Sequence, residues 1–308
     1  MEHTDLSLEI ENEFVQNSER VKSVDLHPTE PWILVGLYSG TISIWNYLTK
    51  TEEKSLKISE LPVRSAKFIT RENWIIAATD DKCIRVFNYE KMEKIIEFEG
   101  HADYIRSLVV HHSLPYVVSA SDDHAIKSWD WSKGWALHRS FEGHSHYVMQ
   151  VAFNPKDPDS FVSASLDGTL KIWSLDSSAP NFTFDGHLKG VNSVDYFISN
   201  DKNYLLSGSD DYTAKVWDYH SRSCIQTLEG HGNNVTAVSA HPELPITLTA
   251  SEDFTVKIWD AVTYRLQTTL NFGFERVWSI GYKKGSSLVA FGCDKGFIIL
   301  KVNLQAAK

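Results

Sequence analysis

A block of about 43 residues is repeated along this chain, and no other feature narrows the possible folds so far. It is seen whole in Gly100 to Trp131, GHADYIRSLVVHHSLPYVVSASDDHAIKSWDW. Three short alternating runs, Tyr104 to Val110, Tyr116 to Ala120 and Ala125 to Trp129, are each bounded by Pro, Asp, Ser or Gly. Side chains on a strand alternate faces and turn formers break the backbone, so each run reads as a β-strand. A fourth strand is expected at Ala136 to Phe141, after which Gly143-His144 restarts the pattern. The openings GHADYIRS, GHSHYVMQ, GHLKGVNS and GHGNNVTA begin at residues 100, 143, 186 and 230. The strand-ending aromatic falls at Trp45, Phe87, Trp129, Trp173, Trp217 and Trp259, in steps of 42, 42, 44, 44 and 42 residues.

A unit of about 40 to 45 residues with Gly-His at its start and Trp-Asp at its end resembles the WD-repeat family, here over nearly the whole chain. The resemblance implies an all-β fold, a single seven-bladed WD-repeat β-propeller. The blades are expected at about Arg20 to Lys50, Pro62 to Glu99, Gly100 to Glu142, Gly143 to Asp185, Gly186 to Glu229, Gly230 to Gly273 and Phe274 to Leu304. The seventh shows only three strands, IGY, LVAFG and FIILKV. Leu6 to Phe14, LSLEIENEF, alternates like a strand and is expected to supply the missing outer one, which would close the ring and cover a bare sheet edge. Residues 1–304 then form one domain, 1–19 being closing strand and linker, and 305–308 a frayed tail.

Composition limits the function. Hydrophobic residues make up 42% of the 308, including ten Trp, fifteen Phe and twelve Tyr, ample for a packed core. Thirty basic against forty acidic residues leave a formal charge of −10, which speaks against a nucleic-acid partner. No apolar run approaches the ~20 residues that span a bilayer, so no transmembrane segment is expected. The opening residues MEHTDLSLEIENEF lack the basic and apolar regions of a signal peptide, so a cytoplasmic location is expected. Cys83, Cys224 and Cys293 fall in different repeats, which suits neither a disulfide framework nor a metal cluster.

The Gly-His histidines (His101, His144, His187, His231) and the second acid of each SDD-like turn (Asp81, Asp123, Asp167, Asp211, Asp253) recur in blade after blade. The WD-repeat resemblance implies a buried hydrogen-bond network joining them to a Ser or Thr and the Trp, since buried imidazoles and carboxylates must find partners. A catalytic His-Asp relay is the weaker reading, and no nucleophile-base motif or phosphate-cradling loop stands out. An enzyme is therefore not expected, nor a cofactor. His111-His112 and His144-x-His146 lack the further ligands of a zinc site.

A binding site is best sought where the copies differ. Two positions at the start of each inner strand are expected near the mouth of a central channel. The first holds Arg20, Pro62, Tyr104, Tyr147, Gly190, Asn234 and Arg276; the second holds Lys22, Arg64, Arg106, Met149, Asn192, Thr236 and Trp278. The basic members gather on blades seven, one, two and three, contiguous once the ring closes. An acidic set, Asp80, Asp122, Asp210 and Glu252 with Asp103, is expected on the same face beside them. The two sets could simply neutralise one another across the channel mouth, but crowding like charges in one sector costs energy unless an opposite charge binds. A short ligand with an anionic and a cationic end, such as a chain terminus preceded by lysines, has the matching polarity. A scaffold that binds a folded partner or ubiquitin through apolar parts of the top face is the alternative.

The strings RVKSVDLHPTEPW (from Arg20), PVRSAKF (from Pro62), IRVFNY (from Ile84), DYIRS (from Asp103), HYVMQVAFNPKDP (from His146), PNFT (from Pro180) and TYRLQTTLNFGFERVW (from Thr263) are similar to the first propeller of the coatomer beta-prime subunits. The likeness covers roughly residues 18 to 300. It implies a cargo-recognition domain of the COPI vesicle coat, which binds dilysine (KKxx-type) tails of membrane proteins returning from Golgi to endoplasmic reticulum. The partners implied are those cytosolic tails and other coatomer subunits, and the location is peripheral on Golgi and COPI vesicle membranes. Carried over by position, carboxylate binding falls on Arg20, Lys22 and Arg64, and lysine binding on Asp103 and Asp122. Tyr38 or Tyr147 is the candidate to line the groove. The resemblance also implies relatives that continue with a second propeller and a helical solenoid.

Overall fold

The computed structural model describes residues 7–305, which form seven four-stranded antiparallel sheets. The innermost strands contact one another in cyclic order, the first meeting the seventh, so the sheets are blades of a closed ring. In blade three the strands are Ile105–Val110, Tyr116–Ser121, Ile126–Asp130 and Ala136–Phe141, each bound within one residue of its sequence run. Blade one departs from expectation, because Thr51–Lys57 is its outer strand and carries it past Lys50. That strand, TEEKSLK, is mostly exposed and charged, as suits a sheet edge, so it lacks the apolar alternation that marks its neighbours.

The seventh sheet is built from both ends of the chain. Ser7–Asn17 pairs antiparallel with Gly296–Gln305, outside Leu288–Cys293 and Val277–Tyr282. The expected closing strand is present but runs three residues beyond Phe14, and Leu6 lies outside the described residues. The tail also differs from expectation: Gln305 belongs to the strand and opposes Ser7, whereas 306–308 lie outside the described residues. Phe14 is 4% exposed and meets Phe297 edge-on at 5.4 Å. Gly296 has φ +136°, and a Cβ there would stand 2.0 Å from the Gln16 carbonyl oxygen, so glycine lets the two strands approach.

The core lies between neighbouring sheets. Val21, Val24 and Ile33 of blade one pack with Ala290, Phe297 and Ile299 of blade seven, so apolar contact closes the ring as well as pairing. The hydroxyls of Ser23, Ser65 and Ser193 accept backbone N–H groups of Ala66, Leu108 and Val238 on the next inner strand, at 2.9, 3.1 and 2.9 Å. Those donors sit on the inner edge of each sheet and would otherwise be orphaned.

Blades three to six carry the expected polar network. His101 Nδ1 lies 2.9 Å from Asp123, its Nε2 2.7 Å from Ser119 Oγ, and Trp129 Nε1 donates to the same hydroxyl at 2.9 Å. The set recurs as His144, Asp167, Ser163 and Trp173, as His187, Asp211, Ser207 and Trp217, and as His231, Asp253, Thr249 and Trp259. Burial holds His101, His144 and His231 below the usual imidazole range. In blade two Ser59 stands at the histidine's position and donates to Asp81 at 2.8 Å, and Arg85 reaches the same carboxylate at 2.7 Å. No helix among the described residues is long and apolar enough to cross a membrane.

Candidate functional site

Every inner strand breaks register at one residue. The shift falls between Val21 and Ser23, Val63 and Ser65, Ile105 and Ser107, Val148 and Gln150, Val191 and Ser193, Val235 and Ala237, and Val277 and Ser279. A bulge leaves its extra residue without a cross-strand partner and re-aims the side chain. The seven residues so freed are Lys22, Arg64, Arg106, Met149, Asn192, Thr236 and Trp278, and all of them line one cavity of about 770 Å³.

A second ring faces the bulges. The backbone N–H groups of Tyr38, Asp80, Asp122, Leu166, Asp210, Glu252 and Asp294 donate to the carbonyls of Arg20, Pro62, Tyr104, Tyr147, Gly190, Asn234 and Arg276. One repeated hydrogen bond therefore sets each facing side chain against its bulge. Asp294 was missed in the sequence because blade seven lacks the SDD-like turn, yet it stands one repeat step of 42 residues after Glu252.

The facing carboxylates are partners of the arginines. Arg64 grips Asp80 through Nε and Nη2, both at 2.7 Å, and Arg106 grips Asp122 in the same two-pronged way, with Nε at 2.7 Å. Arg20 Nε and Arg276 Nε lie 2.7 and 2.8 Å from the two oxygens of Asp294, and Trp278 Nε1 donates to Asp294 at 2.8 Å. Although burial opposes it, hydrogen bonds from Arg276 and Trp278 and the charge of Arg20 hold the Asp294 carboxyl below the usual range. The expectation of a basic cluster adjoining a separate acidic one thus needs correction. Asp80 and Asp122 sit inside the basic sector, since a buried carboxylate is tolerated only when paired.

Lys22 has no such partner. Its amine lies 3.3 Å from the centroid of the Trp278 indole, and no ion pair reaches it among the described residues. Burial, then Arg64, Arg20 and Arg106, push its pKa down to about 6, against a weaker opposite pull from Asp294.

Arg20, Lys22, Arg64 and Tyr38 line the one cavity, with the Tyr38 ring 4.8 Å from the Arg20 guanidinium and 5.8 Å from that of Arg64. The other three candidates do not line it. Asp122 is 4% exposed beneath Arg106, and Tyr147 has its ring 6.0 Å from that guanidinium. Asp103 is half-buried on the adjoining loop, where its carboxylate accepts the Tyr104 N–H at 2.8 Å and makes no ion pair among the described residues. Across the cavity, Asp210 accepts Asn192 Nδ2 at 2.7 Å, and Glu252 carries no ion pair among the described residues. Further along the inner strands, Lys67 meets Asp25 at 3.2 Å, and burial pushes Asp195 up to about 6.

Comparison with known proteins agrees with this architecture. The family described as WD domain, G-beta repeat matches residues 9–46, 51–88, 92–130, 135–174, 178–218 and 222–260. Each match begins with one blade's outer strand and ends with the next blade's third, so the sequence repeat is out of phase with the sheets. The chain is 65% identical to "Coatomer subunit beta'-1" of Arabidopsis thaliana, 62% to "Coatomer subunit beta'-2" of Oryza sativa subsp. japonica and 54% to "Coatomer subunit beta'" of Homo sapiens. Each match covers 97% of this chain and 33% of the relative, so the chain spans about a third of the length of these curated relatives. A seven-bladed ring, six matching repeats and this level of identity place the chain in the WD domain, G-beta repeat family, as a homologue of the coatomer beta' subunits.

Proposed function

We propose that this propeller is a non-enzymatic cargo-recognition domain of the COPI coat, which binds C-terminal dilysine tails of membrane proteins for return from Golgi to endoplasmic reticulum. Its other partners would be the remaining coatomer subunits, and its place the cytosolic face of Golgi and vesicle membranes. The observation that carries this reading is Lys22, an amine without a counter-ion at a mouth already ringed by the cations Arg20, Arg64 and Arg106. A terminal carboxylate supplies the missing negative charge. Lys22 Nζ and the Nη1 of Arg64, which Asp80 leaves free, are donors for it, together with Arg20. A lysine ammonium then takes the unpaired Asp103 and the remaining lone pairs of Asp122. Tyr38 and Tyr147 flank the two ends.

Each charge-assisted contact contributes about 1.5 to 3 kcal/mol, and ordering a flexible tail opposes them, which suggests a dissociation constant on the order of micromolar. Titrating a peptide ending in Lys-Lys-Ala-Ala and its C-terminally amidated twin tests the reading. The free acid should bind and the amide should not; equal binding of both would sink it. A folded-protein partner is the second reading, favoured by Leu188, Tyr212 and Phe254, which stand 90, 42 and 46% exposed on loops of blades five and six.

A further inference from the structure

We propose that Trp278 is a positioning residue that holds the Lys22 amine in the empty mouth, and that capture of a terminal carboxylate there draws one proton onto Lys22. The inference deepens the reading above and rests on it. The indole is fixed from behind: its Nε1 donates to Asp294, whose two oxygens are also held by Arg20 and Arg276. It cannot turn away without breaking that cluster, so its face stays 3.3 Å from the amine.

The groups around Lys22 favour the uncharged amine while the mouth is empty. Arg20 stands just before the strand that carries it, Arg64 and Arg106 come from blades two and three, and Arg276 stands beside Trp278 on blade seven. The nearby carboxylates Asp80, Asp122 and Asp294 are spent on those arginines. Tyr38 lies between Arg20 and Arg64. Asp210 and Glu252 line the far side of the cavity, and Asp25, Lys67 and Asp195 line it further along the inner strands. With its pKa near 6 the amine is mostly neutral at physiological pH, against the face of the ring.

An arriving carboxylate changes the balance. It places a negative charge beside the amine, so R–NH₂ takes H⁺ from a buffer acid and becomes R–NH₃⁺ against R′–COO⁻. No other bond changes. An amidated end brings no charge and recruits no proton, so the coupling sharpens selection for a free chain end.

Calorimetric titration of the full chain with an N-acetylated peptide ending in Lys-Lys-Ala-Ala, at pH 7.5 in phosphate, Hepes and Tris, tests this. The binding enthalpy should vary with buffer ionisation heat in proportion to about one proton taken up, and affinity should fall about tenfold per pH unit from 6.5 to 8.0. Lys22→Arg, which stays charged, should bind with no buffer dependence. Trp278→Leu should roughly halve the proton uptake or better, by freeing the amine to solvent. Tight binding with one enthalpy in all buffers would overturn the coupling and leave the proposed function standing. An unchanged uptake in Lys22→Arg would also overturn it, and in Trp278→Leu would remove Trp278's role. No binding anywhere between pH 6.0 and 8.0 would overturn the function, and this inference with it.

Discussion

Arg106 and Asp122 form a two-pronged ion pair in blade three that leaves Asp122 only 4% exposed. The pair separates two tests that look alike in the sequence. Asp122→Lys would set a second cation against Arg106 in a buried position, so the expected result is a loss of about 3 to 5 kcal/mol of stability, read from denaturant midpoints. Asp103→Asn removes a half-buried charge that stabilises no ion pair. It should leave the midpoint within about 0.5 kcal/mol and weaken dilysine-peptide binding about tenfold. Full affinity in Asp103→Asn would remove this residue from the site.

Lys22 should oppose folding. Its folded pKa of about 6 lies below the ordinary lysine value, so the unfolded chain binds the proton more tightly. The cost vanishes near pH 10.5, grows as pH falls, and is constant below about 6. Lys22→Met should therefore raise stability at pH 7 by about 1 to 3 kcal/mol while abolishing peptide binding. Thermal melts at pH 7 and pH 10 check it: the gain at pH 7 should shrink at pH 10, and an unstable Lys22→Met protein would contradict the burial argument.

Salt should act on the ligand more than on the ring. The mouth is open to solvent, so raising NaCl from about 50 to about 500 mM should weaken free-acid peptide binding about tenfold. The melting temperature should move little, because the buried Arg64–Asp80 and Arg106–Asp122 pairs are screened less. Fluorescence anisotropy of a labelled peptide measures the first effect and calorimetry the second. Salt-insensitive binding would instead favour an apolar docking surface.

Closure of the ring depends on Phe14 and Gly296. Phe14→Ala removes a buried ring packed on Phe297 and should cost about 3 to 5 kcal/mol. Gly296→Ala should also destabilise, because its Cβ would collide with the Gln16 carbonyl and its φ of +136° strains any other residue. Denaturant midpoints equal to those of the parent chain would mean that the N-terminal strand does not hold the ring shut.

What the sequence settled by itself was whatever is local and periodic. Strand and turn residues recur at a fixed step, so the number of blades, the strands of blade three and the placing of Lys22, Arg64 and Arg106 at equivalent points could be read from spacing. Alternation in residues 6–14 likewise announced a strand, and the three-stranded last repeat announced where it was needed. Thr51–Lys57 escaped because an exposed, charged edge strand need not alternate apolar and polar residues. Only the tertiary structure decided how the charges at the mouth are shared. Bulges turn seven residues into one cavity, and the closed ring sets Lys22 on Trp278 and Arg20 against Asp294, residues from opposite ends of the chain. Repeat spacing predicts which blade carries a charge. Whether that charge is neutralised or left to a ligand depends on distances of a few ångströms between blades, and closure of the ring fixes those.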